Sequence, residues 1–336
     1  MRDFFGRELS YVRISVTDRC DYRCRYCMPG EGVEWIPHDR ILSYEEILFL
    51  TGILCGLGVK KIRFTGGEPL VRKGMIKFLE KVTASFPALQ VALTTNGSTL
   101  TQDAPYLARI GLASVNISLD TLDAGKFTSM TRGAALKPVL DGIDSLTALV
   151  SHAQTVIKMN TVLMRSFNDD GMIAQLTDFA FKNRILLRFI EFMPLTSNIW
   201  STEMFMPFSE ALVQLPGGAS NWAEDKTGKN LSAGPARYYV SAVTGQRVGV
   251  ITAVSQHFCE SCNRLRVTST GDVRPCLFNS GQISISEALR DRDEKKVREL
   301  LHEAANKKPE SGAVRNKAEH HETTQCDKTR MHRIGG

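Results

Sequence analysis

Three cysteines, Cys20, Cys24 and Cys27, lie in one short stretch, Asp18-Arg19-Cys20-Asp21-Tyr22-Arg23-Cys24-Arg25-Tyr26-Cys27-Met28-Pro29. Thiolates at Cys-x3-Cys-x2-Cys spacing can take three irons of a four-iron cluster, which needs four ligands in all, so one iron stays open to a non-protein ligand. Pro29 and Gly30 end the stretch without a fourth thiol. A structural zinc site is the plain alternative, but such sites usually show paired Cys-x2-Cys units or histidine partners. The stretch hangs directly on the β-branched run Tyr11 to Val16, which reads as a strand.

Beyond it, short β-branched runs alternate with helical patterns, the mark of βα units and a parallel sheet. Ser43-x-x-Glu46 makes a capping box. Ile47, Leu50, Ile53, Leu54 and Leu57 follow at helical spacing, and Gly58 stops that helix. Further strands are expected at Val59 to Thr65, Leu89 to Thr94, Ser114 to Ser118, Thr155 to Val162 and Leu186 to Glu191, with a helix near Lys73 to Ser85. Six βα units are too few to close an eight-stranded barrel. The expected fold is therefore α/β, an incomplete TIM-type barrel left open on one side for a large substrate.

After Phe208 the alternation stops. Pro216 to Gly234 reads as an irregular connector, and Arg237 to Val243 and Arg247 to Val254 as two strands joined through Thr244-Gly245-Gln246. The expected organisation is a partial barrel over 1–214, a smaller α+β cluster-binding region over 215–302, and a polar flexible tail over 303–336. The tail is low in apolar residues and rich in Lys, Glu, His and Thr, a composition that resists order.

In parallel α/β folds functional groups gather at the carboxyl ends of strands. Gly66-Gly67-Glu68-Pro69, Ser118 and Met193 all fall there. Taken alone, the first is a turn with a charged rim, Ser118 a strand-end cap and Met193 a gap filler. Cys259-x2-Cys262-x13-Cys276 forms a second set of thiols. With His257 it could equally be a zinc site. Cys55 lies on an apolar helical face and reads as core; Cys326 sits in the tail.

At 336 residues, 43% hydrophobic and 23% charged, the composition is that of an ordinary globular protein. No apolar run approaches the length of a membrane span, and Met1-Arg2-Asp3-Phe4-Phe5 lacks the apolar core of a signal peptide. A reducing, cytoplasmic location is expected, where cysteines serve metals more often than disulfides. The net charge of +6 favours anionic ligands. Seven of the basic residues follow Asn306 with no aromatic residue beside them to stack on a base, so neither nucleic acid nor membrane is an expected partner.

The first cysteine stretch, with Tyr26 between its last two thiols and Gly-Gly-Glu-Pro following, resembles the radical S-adenosylmethionine (SAM) superfamily. Within it, the two sets of three cysteines, Arg13 to Cys20, Ile62 to Pro69, Leu93 to Gly97, Val115 to Asp120, Arg188 to Met193, Cys262 to Arg266 and the terminal Gly335-Gly336 are similar to the GTP 3′,8-cyclase family of molybdenum cofactor biosynthesis. The resemblance implies two 4Fe-4S clusters, one on Cys20, Cys24 and Cys27 that binds SAM, the other on Cys259, Cys262 and Cys276 that binds substrate. It assigns Tyr26, Gly67, Glu68, Ser118 and Met193 to SAM, and Arg13, Arg63, Thr94, Lys158, Arg264 and Arg266 to GTP. It further implies a 5′-deoxyadenosyl radical that takes hydrogen from the ribose 3′ carbon, after which that carbon joins guanine carbon 8. A low-potential donor such as flavodoxin and a downstream pterin-forming enzyme are the implied partners, and a homodimer is compatible with the reading. A radical SAM peptide maturase and a zinc-bearing nucleic-acid module are the competing readings.

Overall fold

The computed structural model describes residues 1–151, 154–195, 199–227, 234–278 and 281–311. Its elements begin β1 (Tyr11–Ser15), α1 (Tyr44–Gly56), β2 (Lys61–Thr65), α2 (Met75–Ser85), β3 (Gln90–Thr95), α3 (Leu100–Ile110) and β4 (Ser114–Ser118). They continue with α4 (Ala124–Thr131), α5 (Lys137–Leu149), β5 (Val156–Leu163), α6 (Met172–Lys182), β6 (Leu186–Glu191), α7 (Phe208–Val213), β7 (Trp222–Glu224), β8 (Arg237–Ser241) and β9 (Arg247–Ile251). The last are β10 (Arg264–Val267), β11 (Asp272–Arg274), β12 (Ile283–Ser284), α8 (Ser286–Arg290) and α9 (Glu294–Asn306).

The chain divides into two compact units. Among the described residues, one comprises 1–21, 27–93 and 259–311; the other comprises 22–26 and those within 94–258. This division differs from the expected boundary after residue 214, because β10 returns from far along the chain to pair with β1.

In the first unit the strand order is β12-β11-β10-β1-β2-β3, with β10, β1, β2 and β3 parallel and β11 and β12 antiparallel. Strands covered by helices on both faces read as continuous apolar runs. These alternate instead. Val12, Ile14, Ile62, Phe64, Leu265, Val267 and Val273 bury one apolar face, while Arg13, Arg63, Arg266 and Arg274 share the other. α1 starts on the expected capping box, Ser43 with Glu46, and buries Ile47, Leu50, Ile53 and Leu54.

The second unit orders its strands β4-β5-β6-β9-β8-β7, parallel from β4 to β9. Its alternation is the same. Val115, Ile117, Ile157, Met159, Leu187 and Phe189 are buried on the apolar face, opposite Asn116, Ser118, Lys158, Asn160 and Arg188. Glu191, fully buried at the end of β6, ties the unit together by accepting from the N–H groups of Phe208, Val254 and Ser255.

Two expectations need correction. The connector from Pro216 to Gly234 contains β7, whose Trp222 is buried and donates from Nε1 to the Pro216 carbonyl at 3.0 Å. The tail does not begin at 303, since α9 runs to Asn306 with Leu301, Ala304 and Ala305 buried at helical spacing. Gly335-Gly336 and Cys326 lie outside the described residues. Among the described residues no helix is long and apolar enough to cross a membrane.

Candidate active site

β1 delivers its chain directly into the first cysteine stretch, and the turn after β2 is built against that entry. Gly67 N–H donates to the Thr17 carbonyl and Glu68 N–H to the Arg19 carbonyl, both at 2.8 Å. A Cβ on Gly67 would stand 2.2 Å from the Arg19 oxygen, and one on Gly66 2.6 Å from the Thr17 oxygen, so only glycine permits this approach. Asp18, fully buried, accepts from Ile36 N–H at 2.7 Å and closes the loop behind the thiols. Glu68, also fully buried, caps the following turn through Leu70 N–H at 3.0 Å.

The first unit gathers four of the six residues expected to bind GTP. Register sets Arg266 beside Arg13 and Arg13 beside Arg63, while Arg264 lies two residues before Arg266 on the same face. The antiparallel ladder adds Arg274 opposite Arg266, extending the row to four strands. Sequence reading missed Arg274, although its alternation with Val273 two residues before Cys276 carried the signal.

Burial and the Arg266, Arg63 and Arg264 guanidiniums hold Arg13 well below the usual guanidinium range. Arginine keeps its proton in proteins, so this crowding expresses a field that favours an anion. Tyr11 reports the same field. Burial raises its hydroxyl, but Arg63, Arg13 and Lys61 outweigh burial and bring it down to about 7, with Arg63 Nε donating to it at 2.7 Å.

In the second unit Cys24, Tyr26, Asn96, Ser118, Asp120 and Met130 line one pocket. The segment is fixed there by Arg23 and Arg25 N–H groups donating to the Thr131 and Met130 carbonyls at the end of α4. Tyr26 donates to Asp120 Oδ2 at 2.8 Å, and Val162 N–H donates to the other oxygen at 2.8 Å. Burial pushes the Asp120 carboxyl up to about 6 against those two bonds. Asp120 is therefore a positioning residue that sequence reading named only as part of a run.

Met193, expected to bind SAM, is half-buried and does not line this pocket; its neighbour Phe192 packs its ring edge-on against Tyr26 at 6.5 Å. Lys158 is buried on the polar face, two residues from Asn160, whose oxygen accepts from Arg188 at 2.7 and 3.0 Å. Gly249, paired with Arg188, leaves the room that side chain fills. Thr94 is half-buried in β3.

The second cysteine set is explained by a hairpin. β10 follows Cys262 and β11 precedes Cys276, and continuing the register of Arg266 with Arg274 sets Cys276 beside Arg264. Burial raises the Cys262 thiol, but Arg264 and Lys308 outweigh it and bring it down to about 7. A thiol so poised suits a thiolate ligand, so this donor set fits a cluster, as does the glycine-lined approach to the first stretch. All six cysteines are free thiols and half-buried. Among the described residues no three His, Cys, Asp or Glu side chains are already gathered at metal-binding distance.

A model of the radical SAM superfamily matches residues 14–177, and one described as Molybdenum Cofactor Synthesis C matches 185–314. Streptococcus suis SuiB, solved with its precursor peptide SuiA, superposes with a TM-score of 0.62 at 15% identity, covering 93% of this chain and 67% of its own, which shows the fold alone. The molecule is thus an α/β partial-barrel enzyme of the radical SAM class.

A "GTP 3′,8-cyclase" of Pelotomaculum thermopropionicum is 39% identical over 100% of both chains, and one of Geobacter sulfurreducens 41% identical over 95% of this chain and 96% of its own. "Molybdenum cofactor biosynthesis protein 1" of Drosophila melanogaster is 38% identical over 96% of this chain and 56% of its own. The chain belongs to the GTP 3′,8-cyclase family.

Proposed function

We propose that the chain cyclises GTP to (8S)-3′,8-cyclo-7,8-dihydroguanosine 5′-triphosphate, the first step of molybdenum cofactor biosynthesis. The observation that carries this reading is the row of Arg274, Arg266, Arg13 and Arg63 on one face of four neighbouring strands. Four guanidiniums on one polar face set up a positive field that attracts a polyanion, and guanidiniums pair with phosphate oxygens in bidentate fashion. A nucleoside triphosphate meets that demand.

When bound, a four-iron cluster on Cys20, Cys24 and Cys27 together with SAM supplies the adenosyl radical chemistry. In the first unit Gly66 and Gly67 keep their turn close to the backbone of Thr17 and Arg19; in the second Tyr26 is oriented by Asp120, and Ser118 lines the same pocket as Tyr26. Glu68 and Met193 complete the residues assigned to SAM. Arg13, Arg63, Arg264 and Arg266 hold the triphosphate, and Thr94 and Lys158 are assigned to GTP as well. Cys259, Cys262 and Cys276 hold a second four-iron cluster that anchors the substrate. A low-potential donor such as flavodoxin provides the electron, and a pterin-forming enzyme consumes the product.

Anaerobic reduced enzyme given SAM and GTP should yield the cyclised nucleotide and 5′-deoxyadenosine together. ATP should fail in place of GTP. Formation of 5′-deoxyadenosine with no cyclised nucleotide under any reducing condition overturns the assignment.

A further inference from the structure

Between α9 and the last described residue the chain does something its composition does not announce. Lys308 is 3% exposed in a segment otherwise rich in charge. Its ammonium donates to the Arg264 carbonyl at 2.9 Å and to the Pro275 carbonyl at 2.8 Å, and it interacts electrostatically with the Cys262 and Cys276 thiols. Those two carbonyls face each other at the open end of the β10–β11 hairpin: Arg264 begins β10 two residues after Cys262, and Pro275 directly follows β11 and precedes Cys276. A single side chain thus spans the mouth of the hairpin that separates two of the three thiols.

The remaining thiol is fastened from the other end of the chain. Arg7 Nη1 donates to the Cys259 carbonyl at 2.8 Å and to the Glu310 carbonyl at 3.0 Å, and Nη2 donates to Pro309 at 2.7 Å. Asp3, nearly buried, holds Arg7 through Nε at 2.5 Å and accepts from the Phe5 and Arg7 N–H groups. Arg7 therefore links the Cys259 loop to the same short segment, 308–310, that carries Lys308. Arg264 contributes a further cation, 3.7 Å from the Cys262 sulfur.

We infer that Lys308, with Arg7, is the positioning cation of the second cysteine set: it fixes the width between Cys262 and Cys276 and supplies positive charge to their thiolates. The inference rests on the reading of Cys259, Cys262 and Cys276 as a cluster site. A buried ammonium is costly unless opposite charge faces it, and the groups of opposite sign that act on Lys308 are the Cys262 and Cys276 thiols. Backbone carbonyls at two of its three donors hold the ammonium in place, so its charge stays directed at the sulfurs. Partners of this kind, acting on the ligands and not on the metal, set affinity and potential in metal sites.

The test compares anaerobically reconstituted wild type, Lys308→Met, Lys308→Arg and Cys276→Ser by iron and sulfide content, by electron paramagnetic resonance during redox titration, and by SAM cleavage. Wild type should hold about eight irons, two four-iron clusters' worth. Lys308→Met should resemble Cys276→Ser, with about four irons and retained uncoupled SAM cleavage, or keep both clusters with the second shifted to lower potential. Lys308→Arg should recover part of the loss. A Lys308→Met chain with full iron and an unshifted second signal overturns the inference alone. Loss of both clusters together with far-ultraviolet dichroism in that variant also overturns it, assigning Lys308 to the fold. A wild type with four irons and no second signal overturns the cluster reading, and the inference with it.

Discussion

Replacing Asp120 with asparagine isolates the cost of holding a carboxylate under Tyr26. Burial raises the Asp120 carboxyl from 3.8 to about 6. A group whose folded value is raised gives stability that is full below its unfolded value and is lost as pH rises through its folded one. The loss, integrated from the two values, is about 1.6 kcal/mol at pH 5 and about 3 kcal/mol at pH 8. Asparagine has nearly the same shape. Its oxygen can still accept from Val162 N–H, and its amide can donate to the Tyr26 oxygen, so the geometry persists without the charge. The stability advantage of Asp120→Asn over wild type should therefore grow by about 1.4 kcal/mol between pH 5 and pH 8, read by urea unfolding with linear extrapolation. Asp120→Ala, by contrast, strands two half-buried donors and should cost about 2 to 6 kcal/mol at pH 5, and about 1.4 kcal/mol less at pH 8, because it too lacks the carboxyl. It should also loosen Tyr26 and weaken SAM binding. A wild type and an Asp120→Asn variant with parallel pH profiles would refute the reasoning.

Three further outcomes follow from the same geometry. Gly67→Ala should abolish SAM binding and destabilise the chain, because its Cβ meets backbone at 2.2 Å and the strand end must move; calorimetric SAM titration checks this, and wild-type affinity would contradict it. Tyr11→Phe should flatten part of the pH dependence of GTP affinity near pH 7, since an ionised Tyr11 among the arginines competes with phosphate; affinity falling equally steeply in both proteins would exclude a role for Tyr11. Arg274→Met should raise the unfolding temperature of the ligand-free chain by relieving like-charge crowding while weakening GTP binding about tenfold, or 1.4 kcal/mol. A lowered temperature with unchanged binding would remove Arg274 from the site.

Six of the eight parallel strands among the described residues, β1 to β6, and the capped helix α1 were legible because each is a local pattern: β-branched runs, a capping box, apolar spacing. Ends shifted by a residue or two, as when the run from Val59 narrows to Lys61–Thr65. The return of β10 beside β1, and of β9 beside β6, was not legible, because parallel pairing between distant segments leaves no mark in either segment alone. β7 was hidden for a related reason. It is three residues long, and its identity as a strand comes from β8 and the seating of Trp222.

The site divided along similar lines. Cysteine spacing and the glycine pair are contiguous and could be read directly. Arg13, Arg63, Arg264 and Arg266 came by resemblance, and their meeting on one face required the register that only the fold provides. Arg274 and Lys308 were passed over because each stands among ordinary charged residues, and what distinguishes them is burial.

The hairpin between Cys262 and Cys276 bears on how such sites change over time. What holds the two thiols at a fixed separation is the pairing of β10 with β11, together with Lys308 across its open end, and not the number of intervening residues. The turn at 268–271 lies at the opposite end, so insertions there leave the thiols where they are. One residue added within either strand reverses the facing of everything beyond it, turning arginines into the apolar layer. Lineages can therefore drift in the count between these cysteines through the turn alone, and a search keyed to thirteen residues would overlook them.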